Sequence, residues 1–155
     1  MEITICTIGF AGKTAEQFFA LLTQAGVRRV VDVRENRGGQ LSGYAKHPDL
    51  EFFLARIAGI DYGHEPLLAP TPEMRKAYRT TKDWSQYEAT VLALMRERGF
   101  PGSVELPASA GTLALLCSEA GPEKCHRRLV AELLEAELSR QGHAVQVRHL
   151  VTEKA

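Results

Sequence analysis

The chain opens on an apolar, β-rich run, Ile3 to Ile8, closed by Gly9, which reads as a buried strand. Thr14 and Gln17 have the spacing of a capping box, and Phe18, Phe19, Leu21 and Leu22 follow at helical intervals until Gly26. Arg29 to Val33 is a second apolar run. Its tip carries Asp32 and Arg34 into the loop Glu35 to Ala45, where glycines and Asn36 permit unusual backbone angles. Pro48 suits the first turn of a helix in which Leu50, Phe53, Leu54 and Ile57 recur on one side up to Gly59.

Ile60 to His64 predicts a third strand, ended by the prolines between Glu65 and Pro72, and Tyr87, Val91, Leu94, Met95 and Arg98 mark a helix that Gly99 stops. Leu113 to Cys117 has the pattern of a fully buried strand. Pro122 opens a helix with Leu129, Val130, Leu133, Leu134 and Leu138 on its apolar side, and Ala144 to Val151 supplies a last strand. Parallel neighbours need helical crossovers, so this alternation predicts an α/β fold: three layers, a mostly parallel central sheet of about five strands, and helices on both faces. At 155 residues the expectation is one domain spanning 1–155. The chain has no internal repeat.

Charge narrows the partners. Nineteen basic and nineteen acidic residues cancel, so no global field holds the chain on nucleic acid or an anionic membrane, and any nucleic-acid contact must be local. No apolar run approaches the roughly 20 residues of a membrane span, and Met1 leads into a strand rather than a signal peptide. Three cysteines, an odd number, fit a reducing compartment. The expectation is therefore a cytoplasmic protein that makes no membrane contact. The sequence specifies neither a cofactor nor an oligomeric state.

Ligands of open α/β sheets bind outside the carboxyl ends of the strands, which selects Gly9, Asp32, Arg34, His64, Cys117 and Glu119. The segment from Cys117 to Arg128 is the most informative, because it joins a buried strand to a helix amino terminus, where free N–H groups and the helix dipole favour an anion. Counting back from Leu129, Val130 and Leu133 puts Cys125 and His126 on the inward face of the first turn. Arg127 falls at the boundary of that face. Arg128 precedes Glu132 at the spacing of an exposed ion pair, which leaves Arg127 as the favoured ligand.

Each of these residues also has a plainer reading. Cys117 near a helix amino terminus, a histidine and an arginine suits a nucleophile or redox thiol, whereas burial alone suits packing; Cys125 carries the same two readings, and Cys6 reads as core. Asp32 is a candidate general acid or base, or the partner that orients Arg34 or Arg127, and Glu119 shares that ambiguity. His126 is either a site residue or a satisfied histidine. Arg34, Arg37, Lys46 and His47 with Tyr44 suit a phosphate clamp or a base stack, or a solvated loop. Tyr78, Trp84 and Tyr87 either cover the site or pack the long connection, and packing is the favoured reading.

Two labels fit poorly. A cysteine phosphatase places arginine six residues beyond its cysteine, where this chain has Glu123, whose charge repels phosphate. A zinc site would recruit Cys117, Cys125, His126 and Glu119, but the adjacency of Cys125 and His126 and the absence of a Cys-x-x-Cys pair disfavour it, so no metal is expected.

Several ordered blocks carry a family resemblance: Thr7-Ile8-Gly9, Asp32-Val33-Arg34, Gly43-Tyr44 with Lys46, Tyr62 with His64, and Leu116-Cys117-Ser118-Glu119 followed by Cys125-His126-Arg127. Over nearly its whole length the chain resembles the bacterial and archaeal family called domain of unknown function 488. That family usually has a proline and then Ser-Arg in the first loop, where this chain has Arg37 and then Gly39-Gln40. The resemblance implies the fold and the place of the site, and transfers no reaction. The expectation is an enzyme for a phosphorylated small molecule, nucleotide or nucleic-acid end. Cys117, Glu119, Cys125, His126 and Asp32 would do the chemistry, and Gly9, Arg34, Tyr44, Lys46, His64 and Arg127 would bind the substrate. The alternative is a non-catalytic module that binds a nucleotide, nucleic acid or protein and has structural cysteines.

Overall fold

A computed structural model describes residues 2–35, 37, 43–102, 111–117 and 125–152. Within them lie five strands, β1 (Glu2–Gly9), β2 (Arg29–Asp32), β3 (Asp61–His64), β4 (Leu113–Cys117) and β5 (Ala144–Leu150). The helices are α1 (Ala15–Gln24), α2 (Asp49–Phe53), α3 (Pro72–Thr81), α4 (Trp84–Glu97) and α5 (His126–Arg140). All strand pairs are parallel, in the order β3-β2-β4-β1-β5. The expected α/β architecture is therefore present.

Side-chain alternation along the strands divides the core in two. Cys6, Ile8, Val30, Ala114 and Leu116 face Phe18, Phe19 and Leu22 of α1 and Leu50 of α2. Ile3, Ile5, Val31, Leu113, Leu115 and Cys117 face Val91 and Met95 of α4 and Leu129, Val130, Leu134 and Leu138 of α5. Both helix layers bury apolar stripes. At about 1.5–3 kcal/mol for each large apolar side chain removed from water, these stripes hold the layers to the sheet.

Local chemistry sets the element ends. The Thr14–Gln17 capping box forms reciprocally, with Gln17 N donating to Thr14 Oγ1 at 3.1 Å and Thr14 N to Gln17 Oε1 at 2.9 Å. Beyond α2 the chain widens into a π turn, Leu54–Ala58, which ends at Gly59 in the left-handed region (φ 64°). This corrects the expected helical face. Leu54 is fully buried, but Ile57 is 60% exposed, because the wider turn advances the phase and rotates Ile57 outward.

Helix α3, which no apolar stripe in the sequence announces, follows the prolines and is capped by Thr71 Oγ1 accepting from Met74 N. It has no fully buried residue. Instead its Tyr78 stacks on Tyr87 of α4 with ring centroids 4.7 Å apart, and Trp84 closes the group, as the packing reading of those aromatics expected. No helix among the described residues is long and apolar enough to cross a membrane.

Candidate functional site

The strand order decides where a pocket can form. The connections from β1 and β2 run toward β3, whereas the connection from β4 runs past β1 to β5, so the chain diverges on either side of the carboxyl end of β4. Gly9 stands in register with Cys117, and Val33 N donates to Leu116 O at 3.0 Å, which brings the tips of β1, β4 and β2 into one row. His64 pairs with Asp32 in the next position outward.

Cys117, the last residue of β4, turns to the α5 side with 1% exposure, and Cys125, the N-cap residue of α5, meets it. Their sulfurs are 2.7 Å apart and both are free thiols. Arg127 Nη1 donates to Cys117 Sγ at 2.9 Å and lies 3.8 Å from Cys125 Sγ. A guanidinium has only donors, so Cys117 is the acceptor, and the charge favours its thiolate. The hydrogen bond to Cys117, followed by burial and the charge on Cys117, pushes the Cys125 thiol well above the ordinary range. Cys125 thus holds its proton the more tightly of the two. Burial works against the charge on Arg127, but attraction to Cys117 and Cys125 overrides it and raises the guanidinium further.

The expected boundary position of Arg127 is corrected. Arg127 is fully buried, because α5 begins at His126 and Arg127 therefore heads the inward stripe of Val130, Ala131, Leu134 and Leu138. Pro122, the expected helix start, lies outside the described residues, as do Glu119, Glu123 and the Gly39-Gln40 departure from the family pattern. Arg128 is outside the site as expected, with Nη1 3.0 Å from Glu132 Oε1 and Nη2 3.5 Å from Glu88 Oε2.

His126 reaches across to β2, where its Nε2 lies 3.1 Å from Val33 O. A carbonyl only accepts, so Nε2 carries the hydrogen and Nδ1 is left as the basic nitrogen. Burial, with the charges of Arg127 and Arg75, lowers its pKa to about 4, against the opposing bond to Val33. The imidazole is neutral at pH 7.

Asp32 belongs to the other face. Its fully buried carboxylate accepts from Arg34 N (3.1 Å), Arg34 Nε (2.9 Å), Arg34 Nη2 (2.8 Å) and the Tyr62 hydroxyl (2.6 Å). Four donors fill the lone pairs, so this geometry gives Asp32 the orienting role, directed at Arg34 rather than Arg127. Arg34 Nη2 also donates to Ala45 O at 2.8 Å, and its guanidinium lies over Phe10, 5.3 Å from the ring centroid. Burial, then the bond to Asp32, pushes the Tyr62 phenol far above its ordinary range.

The remaining candidates frame this second group. His64 Nε2 lies 2.6 Å from Arg34 O, and Tyr44 donates to Phe10 O at 3.1 Å and Lys13 O at 3.0 Å, pinning the turn after β1. Arg37 Nη1 is 3.4 Å from His47 Nδ1, and His47 stacks on Tyr62. Lys46 is exposed. The single constellation of the sequence reading is thus two: a thiol and arginine group on the α5 side, and an aspartate, arginine and tyrosine group on the α1 side.

Sequence reasoning missed Lys13, which is only 8% exposed. Burial lowers its pKa first and the Arg127 charge adds to this, while Cys117 opposes both, so the ammonium senses the thiol group from the β1–α1 turn. Its signal was a basic residue directly before the Thr14 cap, just beyond a strand end. Thr7, the first residue of the Thr7-Ile8-Gly9 block, is fully buried in β1 and its Oγ1 lies 2.6 Å from His149 Nδ1. Among the described residues no three His, Cys, Asp or Glu side chains gather as a metal site would require.

A family model described as Domain of unknown function DUF488 matches residues 14–134. No curated protein and no solved structure matches the chain.

Proposed function

Because the chain belongs to the DUF488 family, a domain of unknown function, its activity must be argued from its own site, and we propose a thiol-dependent enzyme for a phosphate-bearing substrate. The substrate is a phosphorylated small molecule, a nucleotide or a nucleic-acid end held at the carboxyl edge of β4. The observation that carries this reading is the 2.9 Å contact of Arg127 Nη1 with Cys117 Sγ, a buried cation on a thiol at the point where the chain diverges. Cys117 is the nucleophile. Arg127, Lys13 and the amino end of α5 supply the positive field that an anionic group needs, and neutral His126 offers a base at Nδ1.

Calorimetry with inorganic phosphate and nucleoside phosphates at low salt tests the anion half. Lys13→Met and Arg127→Lys should each weaken binding about tenfold or more, the loss of a charge-assisted hydrogen bond of roughly 1.5–3 kcal/mol. Unchanged binding in both variants, or no binding by the native chain, would end this reading.

Burial favours a second reading, a binding module for a nucleotide, nucleic acid or protein with structural cysteines, since Cys117 and Cys125 are 1% and 3% exposed. Iodoacetamide separates the two. Selective alkylation of Cys117 in the folded protein supports the enzyme, and labelling no faster than that of the core thiol Cys6 supports the module.

A further inference from the structure

Two thiols that face each other across 2.7 Å do more than line a pocket. A disulfide requires about 2.05 Å between sulfurs, so closure asks these two to move by roughly 0.7 Å. The sulfur that attacks the peroxide must be a thiolate, and the Arg127 guanidinium together with the amino end of α5 favours negative charge on Cys117. Cys125 carries the proton that must be lost. Cys6 provides an internal contrast, because it lies in mid β1 on the opposite face of the sheet.

We propose that Cys117 and Cys125 form a redox couple that closes to a disulfide on meeting a small hydroperoxide. Cys117 thiolate attacks a peroxide oxygen, forming an S–O bond as the O–O bond breaks and hydroxide leaves. The Cys125 sulfur then attacks the Cys117 sulfur, the S–O bond breaks, and the departing hydroxide takes the Cys125 proton as water. In sum a thiolate, a thiol and hydrogen peroxide give a disulfide, water and hydroxide. The two sulfurs lose two electrons to the peroxide. A dithiol reductant reverses the closure. The couple stands apart from the reaction proposed above; where Cys117 is the nucleophile, the oxidised form is its inactive state, and that consequence alone rests on the enzymatic reading.

The test uses the native chain, reduced, freed of thiol and treated with hydrogen peroxide, then denatured in acid, alkylated and weighed intact. The reduced protein should take three alkyl groups, one for each of its three cysteines. After peroxide it should take one, on Cys6, with a cross-linked peptide joining Cys117 to Cys125, and dithiothreitol should restore all three. In Cys125→Ser, a sulfenic acid at Cys117 should accumulate and be trapped by dimedone. Retention of three labels after peroxide is consumed, or addition of oxygen at Cys117 while Cys125 remains alkylatable, would overturn the couple. Neither result bears on phosphate binding, so the couple and the enzymatic reading fail separately.

Discussion

Asp32→Asn tests the division of the site into two groups. The native carboxylate is fully buried and accepts four hydrogen bonds, three from Arg34, whose side chain is itself only 6% exposed. An amide keeps one acceptor oxygen and turns two donors toward the Arg34 and Tyr62 donors, so Arg34 becomes a buried cation without its counter-charge. Breaking such a pair by removing one partner costs about 3–5 kcal/mol, a large part of the roughly 5–15 kcal/mol that holds a domain folded. With a urea slope of about 1–3 kcal/mol per molar, the unfolding midpoint should fall by about 2 M. Arg34→Met alone and the double variant complete the cycle, and the double should be less destabilised than the sum of the singles, because removing both charges leaves none stranded. A loss below about 1 kcal/mol, the size of an exposed ion pair, or strict additivity would refute the buried-pair account.

Two further outcomes follow from the same geometry. The His126 pKa near 4 lies below its ordinary value of 6.5, so between those values the unfolded chain binds a proton that the fold refuses. Stability should be indifferent to this group above about pH 6.5 and should decline as pH falls toward 4, by about 3 kcal/mol in all. His126→Gln should remove that part of the slope in urea titrations run at successive pH values, and an identical slope would contradict a neutral, half-buried ring. In the π turn, Leu54→Ala should cost about 2–5 kcal/mol and the exposed Ile57→Ala less than about 1 kcal/mol in thermal unfolding. Equal losses would mean that Ile57 faces inward after all.

Features written in local spacing were legible in the sequence. The Thr14–Gln17 box, the buried run of β4 and the Arg128–Glu132 pair each depend on residues a few positions apart, and each stands where it was expected. So does the parallel α/β layout, because helical crossovers impose it. What was not legible depends on phase or on distant partners. The π turn displaced Ile57 without any glycine or proline to announce it inside the helix. The inward position of Arg127 depends on where α5 begins, and polar residues do not mark an apolar stripe. Asp32 and Cys117 both sit at strand tips, yet side-chain alternation and the staggered ends of β2 and β4 send them to opposite faces. Lys13 carries no local mark because the groups it senses, Arg127 and Cys117, lie far away in sequence.

The placement of β4 between β1 and β2 also bears on how the molecule is made. β1 and β2 never pair with each other; Ile5 waits for Leu113 and Val31 for Leu115, so both strands keep a bare inner edge until the chain has passed residue 117. The last strand to enter the middle of the sheet is the one that ends in Cys117. Until it docks, the amino-terminal half is two separate ribbons with open hydrogen-bonding rows, and such distant pairings are slow to form and prone to strand exchange between molecules. The closed sheet and the last residue of β4, Cys117, therefore reach their place together.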